Sequence, residues 1–147
     1  MHCIREILRD KEDGHPLVAT HPGATVLEAT LLMNEHRTGS VLVMSGGRLV
    51  GIFTERDVLR RIVADRRSPE ATPVREVMTD DVVCCGLDAT VDEVADVMRF
   101  RRIRHVPVVD ADGSVVGLVS IGDINAHRVC NCEVALHQVE DYIHRRA

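Results

Sequence analysis

The chain has 147 residues, an apolar fraction of 45% and a formal net charge of −5 at pH 7. A polypeptide of this size buries roughly 70% of its unfolded surface, so it can form a core without a metal ion or a disulfide. The negative charge disfavours a general affinity for nucleic acid phosphates. An aromatic content of 2% nearly excludes the stacking of bases on an aromatic platform. We therefore expect no nucleic-acid partner.

Hydropathy and cysteine usage favour a reducing compartment. No apolar run approaches the roughly 18–20 residues of a membrane span, and the first residues lack the apolar core of a signal peptide. Five cysteines is an odd number, and their irregular spacing is unlike a secreted disulfide framework. These features predict a cytoplasmic protein with no membrane partner.

The sequence contains two copies of one unit of about 60 residues, which is the length expected of a small structural repeat. Three segments recur in the same order along the chain, with small changes of offset where loops are expected. The recurring segments are 4–8 with 74–78, 25–29 with 90–94, and 49–57 with 115–123.

Each copy predicts a helix, two strands and a second helix, preceded by a short β-prone stretch. Thr25 and Thr90 are both followed three residues later by glutamate, which is the capping-box pattern of a helix start. Two apolar runs flanking a turn that contains glycine then predict a hairpin. We expect an α/β (α+β) fold of two pseudo-symmetric repeats, each a small sheet packed with helices. The predicted strand pairs are Val41–Met44 with Leu49–Phe53, and Val106–Val109 with Val115–Val119.

The offsets divide the chain into four parts. The first repeat is predicted at residues 4–65 and the second at residues 74–128. A polar stretch containing Pro69, residues 66–73, is predicted to link them. Apolar residues at helical spacing then predict an added C-terminal amphipathic helix over residues 129–147.

Both copies resemble the cystathionine-β-synthase (CBS) domain pair, also called a Bateman module. The resemblance covers roughly residues 4–128 and is closest to the small stand-alone CBS-pair proteins. It implies two repeats about a pseudo-two-fold axis, with their sheets packed together and two clefts between them. The segments that carry the resemblance are Val74–Thr79, His105–Asp110, Gly117–Asp123 and Gly51–Asp57.

The resemblance also implies a regulatory ligand. In the family the clefts bind AMP, ADP, ATP, NAD(H) or S-adenosylmethionine; here AMP or NAD(H) is favoured, and no other cofactor is required. The aspartate of a Thr/Ser-x-x-Asp motif typically receives the ribose hydroxyls, and the Thr or Ser lies near the phosphate. Thr54 with Asp57, and Ser120 with Asp123, match this motif. An ionised carboxylate suits the role because it can accept hydrogen bonds from both ribose hydroxyls.

Carried over to this chain, the pattern makes the two clefts unequal. The cleft built on Asp57 faces Arg104 and His105, which would offer positive charge to a phosphate. The cleft built on Asp123 faces Ser40 and is expected to lack such charges, so the first cleft is predicted to bind more strongly. The predicted nucleotide-binding residues are Ser40, Val41, Thr54, Arg56, Asp57, Arg104, His105, Val106, Pro107, Ser120, Gly122 and Asp123.

Plainer roles for the same residues stay open. Asp57 and Asp123 could serve only as helix N-caps, a role in which aspartate is among the best residues. Arg104 could belong to a solvated basic run. Cys130 and Cys132 could form a thiol or metal pair, but residues two apart on a helix point in different directions, and no second cysteine pair has zinc spacing. The sequence therefore predicts no metal site.

Catalytic motifs are missing from the sequence, which contains no Gly-x-Ser-x-Gly, no Walker loop and no His-Glu-x-x-His. We expect a non-enzymatic, energy-sensing module for signal transduction whose contacts change when a nucleotide binds. The alternative is a ligand-free scaffold or a thiol- or metal-linked interaction protein. Amphipathic helices that the small sheets cannot fully cover also predict a homodimer. A regulated protein partner is possible, but the sequence does not indicate which one.

Overall fold

The computed structural model of the chain describes residues 2–11, 17–131 and 143. Two successions of short helices and strands follow one another along it. The first comprises α1 (Ile4–Lys11), β1 (Ala19–Thr20), α2 (Val26–His36), β2 (Ser40–Ser45), β3 (Arg48–Thr54) and α3 (Glu55–Asp57), which continues as a π-helical stretch (Val58–Val63). The second comprises a 3₁₀ turn (Val74–Glu76), β4 (Cys85–Gly86), α4 (Val91–Arg101), β5 (His105–Val109), β6 (Val115–Ser120) and α5 (residues 121–131). None of the helices in this part of the chain is long and apolar enough to span a bilayer.

The strands form two three-stranded sheets of the same topology. In each sheet the short first strand pairs in parallel with the second, and the second pairs antiparallel with the third. The register places Ser40 opposite Thr54 in one sheet and His105 opposite Ser120 in the other. Equivalent residues thus occupy equivalent sheet positions, and the predicted two-repeat α/β architecture is confirmed.

Helices α2 and α4 begin at the predicted capping boxes. The Glu28 backbone N–H donates to Thr25 Oγ1 at 3.1 Å, and the Thr25 backbone N–H donates to Glu28 Oε2 at 2.9 Å. Thr90 and Glu93 make the same two bonds at the same distances. These bonds satisfy N–H groups that a helix start otherwise leaves open, so the first turn of each helix is fixed.

The two halves have separate cores, and each core includes the segment that opens the other repeat. Ile4 and Ile7 of α1 are buried among residues of α4, β5 and β6. Val74 and Val77, at the start of the second repeat, are buried among residues of α2, β2 and β3. The predicted boundaries at residues 4 and 74 therefore divide the sequence into repeats, but they do not divide the molecule into two independent cores.

The predicted C-terminal helix is only partly described. Residues 129–131 continue α5 without interruption, so the predicted boundary after residue 128 falls inside a helix. Ile143 is helical and exposed. The rest of the predicted helix, including Cys132, lies outside the described residues.

Candidate functional site

A cavity of about 870 Å³ lies where the two halves meet. It is bounded by α1, the segment before β1, the turn between α2 and β2, and β6 with the start of α5. Small-molecule sites have volumes of about 300–1,000 Å³, so the cavity is large enough for a nucleotide. Its apolar walls are formed by Leu8, Leu17, Val18, Leu87, Val116 and Leu118.

The Ser120-x-x-Asp123 motif lies at one side of this cavity, where β6 passes into α5. The Ser120 backbone N–H donates to Asp123 Oδ2 at 2.8 Å, and Lys11 Nζ donates to the same oxygen at 2.7 Å. The Asp123 backbone N–H donates to Ser120 Oγ at 3.2 Å. No residue of the described chain donates to Asp123 Oδ1, so this oxygen can accept hydrogen bonds from a ligand.

The carboxyl group of Asp123 is ionised at neutral pH. Burial acts to raise its pKa, but hydrogen bonds from Lys11 and Ser120 outweigh this, and the pKa lies below the ordinary value. Lys11 Nζ also donates to the Leu118 carbonyl oxygen at 2.9 Å, which holds the ammonium group against β6. The Lys11 and Asp123 side chains are 25% and 22% exposed, so the ion pair is partly shielded from water.

Positive charge reaches this cavity from α1 and from the end of α2. Arg5, Arg9 and Arg37 line it together with Lys11. The prediction that the cleft of Asp123 lacks cationic groups is therefore wrong. The error arose because α1 opens the first repeat in the sequence but packs on the second repeat in the structure, and it brings its basic residues there.

The Thr54-x-x-Asp57 motif makes a capping box of its own. Thr54 is the N-cap of α3, and Asp57 is the third residue of the helix rather than the cap. The Thr54 backbone N–H and Oγ1 donate to Asp57 Oδ2 at 3.0 and 3.2 Å. Arg61 Nε lies 3.7 Å from Asp57 Oδ1, and the Asp57 residue is only 8% exposed. These contacts start the helix, as the equivalent bonds between Ser120 and Asp123 do at α5, so capping is common to both motifs.

The segments packed beside the two motifs carry different charges. Leu8 packs against a glycine of β6, and Met78 packs against the equivalent glycine of β3. Three residues beyond these equivalent side chains lie Lys11 in one segment and Asp81 in the other. The same packing therefore brings a positive residue toward one motif, whereas the other segment carries an acidic residue at that position.

Four of the predicted site residues line the cavity: Ser40, His105, Ser120 and Asp123. Ser40 is fully buried, and its Oγ has no hydrogen-bond partner within the described residues. Burial lowers the pKa of His105, although the carboxylates of Glu55 and Asp123 act in the opposite direction. The ring is therefore neutral at pH 7 and can offer a hydrogen bond, but not the positive charge predicted for it.

The other predicted residues do not line this cavity. Arg104 is exposed, whereas Arg56 is half-buried and its Nη1 donates to the Arg102 carbonyl oxygen at 2.7 Å. Those outside the cavity are Val41, Thr54, Arg56, Asp57, Arg104, Val106, Pro107 and Gly122. The residues that sequence reasoning missed are Lys11, Arg9 and Arg37. The repeat of residues 4–8 at 74–78 was the available signal, because it shows that α1 belongs to the repeated framework.

The fold and this cleft between pseudo-symmetric halves define a module of two paired repeats. The family model of the CBS domain matches residues 4–64 and 74–128, so the chain belongs to the CBS domain family and carries a CBS-domain pair. CBS-domain pairs are regulatory modules. The resemblance drawn from the sequence is confirmed.

Individual relatives agree with this assignment. YhcV of Bacillus subtilis is 34% identical over 110 residues, which is 75% of this chain and 77% of that protein. A CBS-domain protein structure from Burkholderia ambifaria is 36% identical, with a TM-score of 0.84 and coverage of 87% of this chain and 94% of that one. The CBS domain pair of protein MJ0100, solved with 5′-methylthioadenosine and S-adenosyl-L-methionine, is 27% identical, with a TM-score of 0.77 and coverage of 89% and 98%.

Some relatives are considerably longer. The CBS domain-containing protein CBSCBSPB3 of Arabidopsis thaliana is 31% identical over 129 residues, which is 88% of this chain but 23% of that protein. This chain therefore corresponds to one part of that relative, and the similarity concerns the CBS-domain pair alone.

Proposed function

We propose that this chain is a non-enzymatic regulatory module that binds an anionic adenosine compound, AMP or NAD(H), in the cavity of Asp123. The observation that carries the proposal is an ionised carboxylate with one uncommitted oxygen, Oδ1, beside a cavity lined by arginines. The CBS pair of MJ0100 supports it, because that structure holds two adenosine compounds.

Each part of such a ligand finds a complementary group. Asp123 Oδ1 would accept hydrogen bonds from the ribose hydroxyls, a charge-assisted interaction. The apolar walls at Leu17 and Val18 would take the adenine ring, which needs no aromatic partner. Arg9 and Arg37 would approach the phosphate, with which a guanidinium group can form paired hydrogen bonds.

The charge of the cavity favours a phosphate over a sulfonium. S-Adenosylmethionine carries a positive sulfur, which Lys11 and the arginines of the cavity would repel. AMP and NAD(H) carry phosphate groups, which the same residues would attract. We therefore favour the phosphorylated compounds for this chain, although MJ0100 holds S-adenosylmethionine.

Regulation would follow from the position of the cavity. A ligand there would touch α1, the turn after α2, and β6 together, so it would favour the conformer that holds these elements in place. A ligand shifts an equilibrium only through a difference in affinity between the two conformers. The conformer that the ligand favours would present a different surface to a partner protein, and the contacts with that partner would change.

Arg9→Gln is expected to weaken binding of AMP about two- to fivefold and to leave adenosine binding nearly unchanged, because only AMP carries the anion. Calorimetric titration of both ligands measures this difference. Arg104→Gln is the matched control, because Arg104 is exposed and does not line the cavity. A loss of AMP affinity in Arg104→Gln, with Arg9→Gln unaffected, would place the ligand in the cleft of Asp57 instead.

We also propose that the chain forms a homodimer through its exposed helical faces. Phe100 of α4 is 87% exposed, and Leu59 and Val63 of the π-helical stretch are both 62% exposed. Apolar surface left in water costs about 25 cal/mol per Å², and a closed dimer is the commonest way to bury it. In sedimentation at micromolar concentration we expect a dimer for the wild type and a shift toward monomer for Leu59→Glu. A wild-type monomer would reject the dimer.

A further inference from the structure

We propose that His2, Glu6 and His127 form a binding site for a divalent transition metal ion of the zinc type. His2 Nδ1 lies 2.9 Å from Glu6 Oε2, and the ring centroids of His2 and His127 are 5.1 Å apart with an interplanar angle of 73°. One donor atom from each of the three side chains lies within 4.8 Å of the other two. The site is separate from the cavity of Asp123 and does not depend on the proposed nucleotide.

The backbone positions of these residues are fixed without a metal ion. His2 lies just before α1 and Glu6 lies in its first turn, where the hydrogen bond between their side chains holds them together. The Val91 backbone N–H donates to the His2 carbonyl oxygen at 3.1 Å, which holds the segment before α1 against α4. His127 lies on α5, which is anchored in the second core by the fully buried Ile124. Such supported positions favour binding, because few groups must be ordered when the ion arrives.

One ring nitrogen of His127 is free to bind a ligand within the described structure. Its Nε2 is buried and has no hydrogen-bond partner in the part of the chain that the structure describes. Buried polar atoms without a partner are uncommon in folded proteins. A cavity of about 290 Å³, lined by His2, His127, Asp92 and Asn131, adjoins the ring. There is thus space for a metal ion and a water molecule next to the His127 side chain.

The donor set selects the class of ion. Two imidazoles and one carboxylate suit Zn²⁺ and its neighbours in the first transition row, whereas Ca²⁺ and Mg²⁺ prefer oxygen ligands. Zn²⁺ binds such ligands at about 2.0–2.2 Å, so tetrahedral donors lie about 3.3–3.5 Å apart. Because the donor atoms lie within 4.8 Å of one another, their separations have to shorten by at most about 1.5 Å through side-chain rotation. Three protein ligands leave the fourth position open to water.

The charges of the described residues that line this cavity are compatible with a positive ion. Arg128 lines the same small cavity, but its Nη2 lies 2.8 Å from Asp92 Oδ1, so its charge is paired. Glu6 itself brings a negative charge to the two histidines. The cysteine spacing predicts no metal site, and the contact between residues 2 and 127 has no local signal because the two lie near opposite ends of the described chain.

Titration of the metal-stripped, full-length protein with Zn²⁺ tests the site. Calorimetry is expected to show one Zn²⁺ per chain, with an affinity that falls at least about tenfold in both His2→Ala and His127→Ala, since each removes one of three protein ligands. His21→Ala is the matched control, because His21 is exposed and lies outside the cluster, and it should bind as the wild type does. Cys130→Ser should also bind normally.

Thermal melting separates loss of the site from loss of the fold. Zn²⁺ at a hundredfold excess over its Kd is expected to raise the melting midpoint of the wild type by about 5–10 °C, and a chelator should reverse the rise. His127→Gln is expected to melt near the metal-free wild type and to show no such rise. Wild-type protein without stoichiometric Zn²⁺ binding, or histidine variants that bind as the wild type does, would overturn the proposal. Loss of binding in Cys130→Ser alone would overturn it as well.

Discussion

Asp123→Asn is expected to weaken the binding of AMP about 10- to 150-fold, because a hydrogen bond to a charged group contributes about 1.5–3 kcal/mol. Asparagine preserves the size of the side chain but removes the negative charge that would receive the ribose hydroxyls. Equilibrium binding of AMP to both proteins measures the ratio. The same substitution also breaks the ion pair with Lys11, so Lys11→Met is needed to separate the two effects.

The equivalent residue of the first half provides the matched control. Asp57→Asn is expected to change AMP affinity by less than about twofold, because Asp57 makes the equivalent capping bonds but does not line the cavity. Its melting midpoint reports whether the fold survives the change. A greater loss of affinity in Asp57→Asn than in Asp123→Asn would show that the ligand occupies the other cleft.

Ile4→Ala is expected to lower the free energy of unfolding by about 2–5 kcal/mol, the usual cost of removing most of a buried isoleucine side chain. Ile4 is fully buried in the core of α4, β5 and β6, although it lies at the start of the chain. Unfolding in urea, followed by circular dichroism, measures the loss. The result tests the exchange of leading segments between the two halves.

Leu31→Ala removes a similar volume at a position that is 57% exposed. Its effect on unfolding is expected to stay within about 0.5 kcal/mol, because surface substitutions leave no cavity. If Ile4→Ala were no more destabilising than Leu31→Ala, α1 would not belong to the second core. The cationic side of the cavity would then lose its structural basis.

Local signals in the sequence predicted the secondary structure well. The capping boxes at Thr25 and Thr90 depend on residues three apart, and the hairpins depend on two apolar runs around a turn that contains glycine. Such signals act within a few residues, so they are visible in a sequence. No local signal shows that α1 and the segment at Val74 each pack in the core of the opposite half. Their placement depends on long-range packing of their apolar side chains.

The candidate site was predicted only in part for the same reason. The Ser120 and Asp123 motif could be found because its residues lie within one short segment. Lys11 contacts Asp123 across 112 positions of the chain, and this contact changes the charge of the cavity. The sequence contained both residues, but only the packing of α1 on the second half brings them together.

The central claim is that the cavity beside Asp123 binds an anionic adenosine compound. Equilibrium dialysis of the wild-type protein against AMP, with adenosine in parallel, tests it most directly. We expect saturable binding of one AMP per chain, with adenosine bound more weakly, because adenosine lacks the phosphate that the arginines would attract. If neither AMP nor NAD bound at millimolar concentration, or if adenosine bound as tightly as AMP, the claim would be contradicted.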